Sequence, residues 1–220
     1  MIVRQTLDRD QLAGLAARQC NNFFPDGREV DIATLTDAAK GALKRLEHCF
    51  SEVNNRYFFD GDRPVFDHLH GDQYAMWLYL LANQLFRNGG DPAICSKLFL
   101  LNKALHACDI YYEVALPDIF LLVHPLGTVL GRGSYGDYFA VYQRCGIGSN
   151  HDIYPRLGAH VTMRPGSAIL GDCDIGDYVQ IATESLVLDR AIPDRSVYIG
   201  NPKAAVVRPM TDDYPLWRNY

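Results

Sequence analysis

Proton transfer and metal binding are the two chemistries that this chain's side chains offer most directly. The metal reading is thin. His68 and His70 stand two apart in Asp67-His-Leu-His70, but two imidazoles without a third ligand do not make a zinc site. The cysteines, at 20, 49, 95, 108, 145 and 173, are scattered with no C-x-x-C pair, so reduced and mostly buried thiols are expected. No metal is assigned. Proton transfer is better served, because a neutral imidazole near its intrinsic pKa can accept a proton as a bond forms. His124 precedes Pro125 in a turn-like stretch. His151, Tyr154 and Arg156 lie close together, and His160 follows. Any of these would act only if a regular element fixed its position.

Two kinds of element are legible. Residues 1–108 read as helical. Candidates are Leu7 to Asn21, Asp31 to Asn55 with Thr34 or Thr36 as cap, Gln73 to Arg87 ended by Asn88-Gly89-Gly90, and Asp91-Pro92 to about Ala107. Phe58 to Pro64 is a turn-rich loop. From Asp109 the helical period stops and a spacing of six takes over. Leu157, Met163, Ile169, Ile175, Ile181 and Val187 form one unbroken run; Val129, Tyr135, Val141 and Ile147 form a second; Ile110, Leu116 and Leu122 form a third. Six is no helix period and is too regular for separate hairpins. It fits a short strand, a corner and another strand, three of which close a triangular coil whose apolar residues stack on those of the next coil. The expectation is an α+β chain: an α-helical domain (1–108), a left-handed parallel β-helix of hexapeptide repeats (109–207) and a tail (208–220). Two breaks interrupt the repeat. One residue is inserted between Leu122 and Val129, and a loop of about four extra residues leaves the helix around Asn150 to Tyr154.

Several segments then resemble the serine O-acetyltransferases of the hexapeptide-repeat acyltransferase superfamily, over roughly residues 73–208 and poorly before that. Asp109-Ile110 through His124 has the spacing of that family's D-I-H-P … D-H-A-T-G stretch. His124-Pro-Leu-Gly127-Thr-Val-Leu-Gly131 resembles H-A-T-G-x-V-x-G-E, and Tyr142-Gln143-Arg-Cys-Gly146-Ile147-Gly148 resembles L-Q-x-V-T-L-G-G. Ile199-Gly200-Asn201-Pro202-Lys203 resembles V-G-x-P-A-R. The resemblance implies an acetyl-CoA-dependent O-acetyltransferase with His124 as general base and Asp109 as the carboxylate that fixes its tautomer. It implies a coenzyme A groove at Gly148, Ser149, Arg164, Pro165, Ala182, Thr183 and Lys203. A backbone N–H of Gly146 to Ser149 is a candidate oxyanion donor. It also implies a homotrimer with sites between subunits, with a dimer of trimers as the larger possibility.

The departures from the family pattern concern the acceptor. The Asp before the catalytic His is Val123, the Glu after the second Gly is Arg132, and R-H-P becomes Ile153-Tyr154-Pro155. His151, Tyr154 and Arg156 are the substitutes available for holding substrate. Serine or a related small hydroxyl compound is the first acceptor class. A sugar or nucleotide-sugar is the second, with Tyr138, Tyr142 and Tyr154 as stacking rings. A non-catalytic β-helix scaffold is the third reading. A net charge of −5 argues against a nucleic-acid partner, and no apolar run reaches the length of a membrane span. With no apolar signal core at the N-terminus, a cytoplasmic protein is expected. The family's tail ends in Ile, whereas this chain ends Trp217-Arg-Asn-Tyr220, so docking of a synthase partner is not expected.

Overall fold

The computed structural model describes residues 4–211 and 215–218. The chain divides into two compact units, one running to Glu113 and one from Val114.

The first unit is helical: α1 (Arg9–Phe23), α2 (Ile32–Ser51), α3 (Gly71–Arg87) and α4 (Pro92–His106). Asp8 and Gln11 form a reciprocal capping box on α1. On α2 the cap is Asp31, whose carboxylate accepts the Thr34 N–H at 2.7 Å; neither Thr34 nor Thr36 caps it. A carboxylate three residues before Thr34 satisfies the orphan N–H, and Thr36 turns its hydroxyl back to the Ile32 carbonyl instead. Asp91 caps α4 with Pro92 in its first turn, and Ala107 ends it in the left-handed conformation. Helix α3 is buried on nearly every side, packing on both α2 and α4. Its two buried amides are satisfied: Gln73 takes the Asp67 N–H and donates to the Tyr57 carbonyl, and Asn83 accepts from Arg45 and donates to the Tyr112 carbonyl. Gln73 thereby pins the 57–67 loop. That loop also carries a short strand, Val65–Phe66, paired in parallel with Arg4–Gln5, a pairing the sequence did not announce. Lys97 is almost fully buried, and its ammonium is met by Asp26 and by the carbonyls of Phe24 and Arg28. A buried cation with three acceptors organises the 24–28 turn.

His106 packs edge-on against Tyr74 and its Nδ1 pairs with Asn102. Burial lowers its pKa from the ordinary 6.5, against a smaller raising influence from Asp72. The folded chain therefore keeps it neutral where the unfolded chain protonates it. Its contribution to stability is complete above about pH 6.5 and is lost as pH falls through the folded value. The thermal midpoint of the wild type should drop between about pH 7 and pH 5 more steeply than that of His106→Gln; equal slopes would show that His106 has no part in the acid response.

The second unit is a parallel β-helix. One face stacks Phe120–Leu122, Phe139–Val141, Thr162–Met163, Gln180–Ile181 and Ser196–Ile199, closed by the antiparallel strand Val206–Pro209. The second stacks Val129–Leu130, Gly146–Gly148, Ala168–Leu170 and Leu186–Leu188. The third stacks Ser134–Tyr135, Arg156–Leu157 and Asp174–Ile175. The six-residue run from Leu157 to Val187 is buried throughout. One expected position is corrected. Val129 is 48% exposed, and Leu130, at 1%, is the inward residue paired with Ile147. The segment after Leu122 takes an extra residue, and because strand side chains alternate, a shift of one exchanges the two faces.

The third edge carries a feature that the hexapeptide period did not reveal. Gly136-Asp137-Tyr138, Gly158-Ala159-His160 and Gly176-Asp177-Tyr178 occupy equivalent corners of successive coils. Tyr138, His160 and Tyr178 all have left-handed backbones. Their rings stack at 4.3 Å between centroids with planes 8° and 6° apart, so His160 is not simply exposed as a corner residue would be. Arg195 covers the far face of Tyr178 and the buried Trp217 meets Tyr138 edge-on. The glycines before the rings are required, since a Cβ at Gly136 would come within 2.5 Å of the Gly158 backbone. Asn219 and Tyr220, on which the docking expectation partly rests, lie outside the described residues.

All six cysteines are buried and unbridged. Burial pushes the Cys20 and Cys108 thiols up to about 12 and that of Cys95 to about 11, which removes thiolate chemistry at neutral pH. Among the described residues, no helix is long and apolar enough to cross a membrane, and no group of three His, Cys, Asp or Glu stands ready for a metal.

Candidate active site

His124 stands where the strand Phe120–Leu122 leaves the first face. Val123 N–H donates to the Val141 carbonyl, and the next residue turns out into solvent with φ +48°. The turn that follows is pinned from two sides. Its Leu126 carbonyl accepts the Arg144 N–H of the next coil, and the buried Thr128 hydroxyl donates to the Tyr142 carbonyl. A left-handed histidine on a rigid corner presents its ring outward, and His is among the residues that tolerate this conformation.

The register shows what shares that edge. Leu122 pairs with Val141, Val141 with Met163, Met163 with Ile181, and Ile181 with Tyr198. Two residues beyond each inward position lie His124, Gln143, Pro165 and Thr183, one to a coil. Arg164 and Ala182 precede the last two. Glu184 N–H donates to the Pro165 carbonyl, which stitches that edge from coil to coil, and Leu186 N–H donates to the Gly200 carbonyl just before the Lys203 turn. Five of the expected coenzyme A residues thus fall on the edge that carries His124. Arg164, half-buried, is held in place by bonds through Nε to Gln180 at 2.9 Å and through a terminal nitrogen to the Tyr142 hydroxyl at 3.2 Å. Gly148 and Ser149 do not join this edge; they end the strand that crosses the second face and lie at the next corner. The Gly146 N–H is spent on the Ser167 carbonyl, part of the ladder between coils.

The loop expected near Asn150 is a two-residue hairpin. Asn150 and Ile153 exchange backbone hydrogen bonds at 3.1 and 3.0 Å, and His151 and Asp152 both have positive φ, as such a turn demands. Asn150 also reaches Asp189 at 2.6 Å, past Gly171, which fastens the hairpin to a later coil. His151 is exposed and Tyr154 half-buried. Arg156 lies on the third face, 3.6 Å from Asp172 and 3.8 Å from Asp174. Within one chain, the hairpin occupies a different edge from His124.

Asp109 belongs to the first unit, in the short strand Asp109–Ile110. Its Oδ2 accepts a hydrogen bond from Lys103 Nζ at 2.6 Å. Sequence reading passed over Lys103. It stands six residues before Asp109, and only the left-handed Ala107 between them folds the two side chains together.

No protein-family model matches the chain. A serine acetyltransferase of Synechococcus elongatus is 29% identical over 150 residues, which is 66% of this chain and 58% of that protein. The crystal structure of serine acetyltransferase from Vibrio cholerae superposes with a TM-score of 0.71 at 20% identity, covering 94% of this chain and 82% of that one. Serine acetyltransferase of Brucella abortus in complex with coenzyme A gives 0.69 at 17% identity, covering 94% and 84%. The chain spans about three-fifths of the length of the curated relatives it matches. At these identities the solved structures establish the shared fold. Helices followed by a hexapeptide-repeat parallel β-helix define the class. Within it the chain is similar to serine acetyltransferases in sequence and in fold.

Proposed function

We propose that the protein is an acetyl-CoA-dependent O-acetyltransferase in which His124 is the general base and Asp109 orients its imidazole. The carrying observation is the edge itself. A candidate base on a rigid, exposed corner shares one column of coils with Arg164, Pro165, Ala182, Thr183 and the Lys203 turn. An alcohol is a poor nucleophile at neutral pH. Proton removal by His124 as the hydroxyl oxygen attacks the thioester carbonyl lowers that barrier, and the imidazolium formed returns its proton to the departing thiolate. Gly148 and Ser149, at the next corner, and His151, Tyr154 and Arg156 complete the site from a neighbouring copy in a homotrimer. That arrangement accounts for their position away from the His124 edge.

Serine is the first acceptor, by likeness to the named relatives. One observation favours a sugar or nucleotide-sugar instead. Arg156, three residues after the hairpin in the chain, already faces two carboxylates, and Val123 stands where the resembled family has an acid. The test is thiol release from acetyl-CoA with L-serine and with a panel of amino- and hydroxy-sugar nucleotides. Turnover with serine supports the first acceptor, and turnover with a sugar alone supports the second. Failure with every acceptor, together with a thermal midpoint indifferent to acetyl-CoA, would leave the β-helix as a scaffold.

A further inference from the structure

Arg144 and Arg156 on the β-helix are matched by carboxylates: Glu184 at 2.6 Å for the first, Asp172 and Asp174 for the second. Arg164 is held by neutral partners instead. Its Nε donates to Gln180 in the coil after it, and a terminal nitrogen donates to the Tyr142 hydroxyl in the coil before it. The guanidinium also lies over the Tyr142 ring, 5.3 Å from its centre. Among the described residues no carboxylate pairs with Arg164. A guanidinium carries five N–H donors, so these bonds fix its direction and still leave donors for a bidentate anion. The occupied face of Tyr142 is lost to sugar stacking.

The register sets how far this charge stands from the candidate base. Leu122, Val141 and Met163 are successive inward positions, so Arg164 lies two coils from the level of His124. At the strand spacing of a sheet that is about 10 Å. An extended 3-hydroxy acid holds its hydroxyl and carboxylate about 4 Å apart. One hydrogen bond of about 2.8 Å at each end lets it span imidazole to guanidinium. The phosphates of coenzyme A do not fit that level. With the thioester at His124, an extended pantetheine arm puts the first phosphate roughly 15 Å away, at the ~3.8 Å that three chain bonds span. That is past Arg164, toward the levels of Thr183 and the Lys203 turn. We propose that Arg164 binds the carboxylate of the acceptor, so that the site selects small hydroxy acids. The inference rests on the reading of His124 as the base.

The experiment measures thiol release from acetyl-CoA with L-serine and D-glycerate, each beside its amide, for wild type, Arg164→Met, Arg164→Lys and Tyr142→Phe. Wild type should prefer the acids. In Arg164→Met the ratio of kcat/KM for acid over amide should fall about 10- to 100-fold, chiefly through KM for the acid, with KM for acetyl-CoA within about twofold. Arg164→Lys keeps the charge without the fork and should recover part of the preference. Tyr142→Phe removes one bond that aims the guanidinium and should shift the ratio the same way by less; these two variants carry the comparison if Arg164→Met does not fold. An unchanged ratio would overturn the inference, and a rise in KM for acetyl-CoA alone would overturn it by placing Arg164 on the cofactor. Wild-type turnover confined to amides or to sugars would overturn it while acetyl transfer at the His124 edge still stood. No thiol release with any acceptor would overturn both.

Discussion

His124→Ala should lower acetyl-CoA turnover by about 10²- to 10⁴-fold, with the thermal midpoint little changed. The size follows from the task. General-base catalysis contributes in that range, and nothing else on the His124 edge carries an imidazole: Gln143, Pro165 and Thr183 occupy the equivalent corners and cannot accept a proton near neutral pH. Stability should be spared because the ring is exposed and the turn is held by backbone groups and by Thr128. His124→Asn, which also tolerates a left-handed backbone, separates the ring's chemistry from the turn's conformation. Both variants should be equally inactive and equally stable. Retained turnover in either would remove His124 as the base, and a collapse of stability in both would make it a structural corner.

Leu130→Ala should destabilise the β-helix by about 2–5 kcal/mol, whereas Val129→Ala should stay within about 0.5 kcal/mol. The two residues are adjacent and similar in kind, so the contrast isolates direction. Leu130 is enclosed and stacked on Ile147; Val129 points to solvent from the same strand. In a stacked solenoid the loss is felt by the neighbouring coil as well, because each coil supplies its neighbour's core. Chemical denaturation followed by the β-sheet circular dichroism band measures both variants. Equal losses would mean that the strand register described above is wrong.

The period of six was sufficient to specify the β-helix, because an inward residue on every short strand is what lets identical coils stack. The helical unit was legible for a similar reason, since the spacing of apolar residues and the Asn88-Gly89-Gly90 and Asp91-Pro92 signals are local. His124 could be picked out along the chain only as a candidate base, and the sequence did not show that the 150–154 hairpin leaves from a different edge. What the sequence left undecided was side-chain direction wherever the repeat slips. Val129 satisfied the count of six, yet the extra residue in the turn after Leu122 gave the inward position to Leu130; counting cannot say where within a turn an insertion is absorbed. The aromatic column of Tyr138, His160 and Tyr178 was hidden because its members are 22 and 18 residues apart, unequal steps that become one edge only after the hairpin at Asn150 is taken out of the coil. The pairing of Arg156 with Asp172 and Asp174 joins adjacent coils, and that of Lys103 with Asp109 needs the left-handed turn at Ala107. Both depend on where the folded backbone brings distant or reversed segments together, which residue type and spacing do not encode.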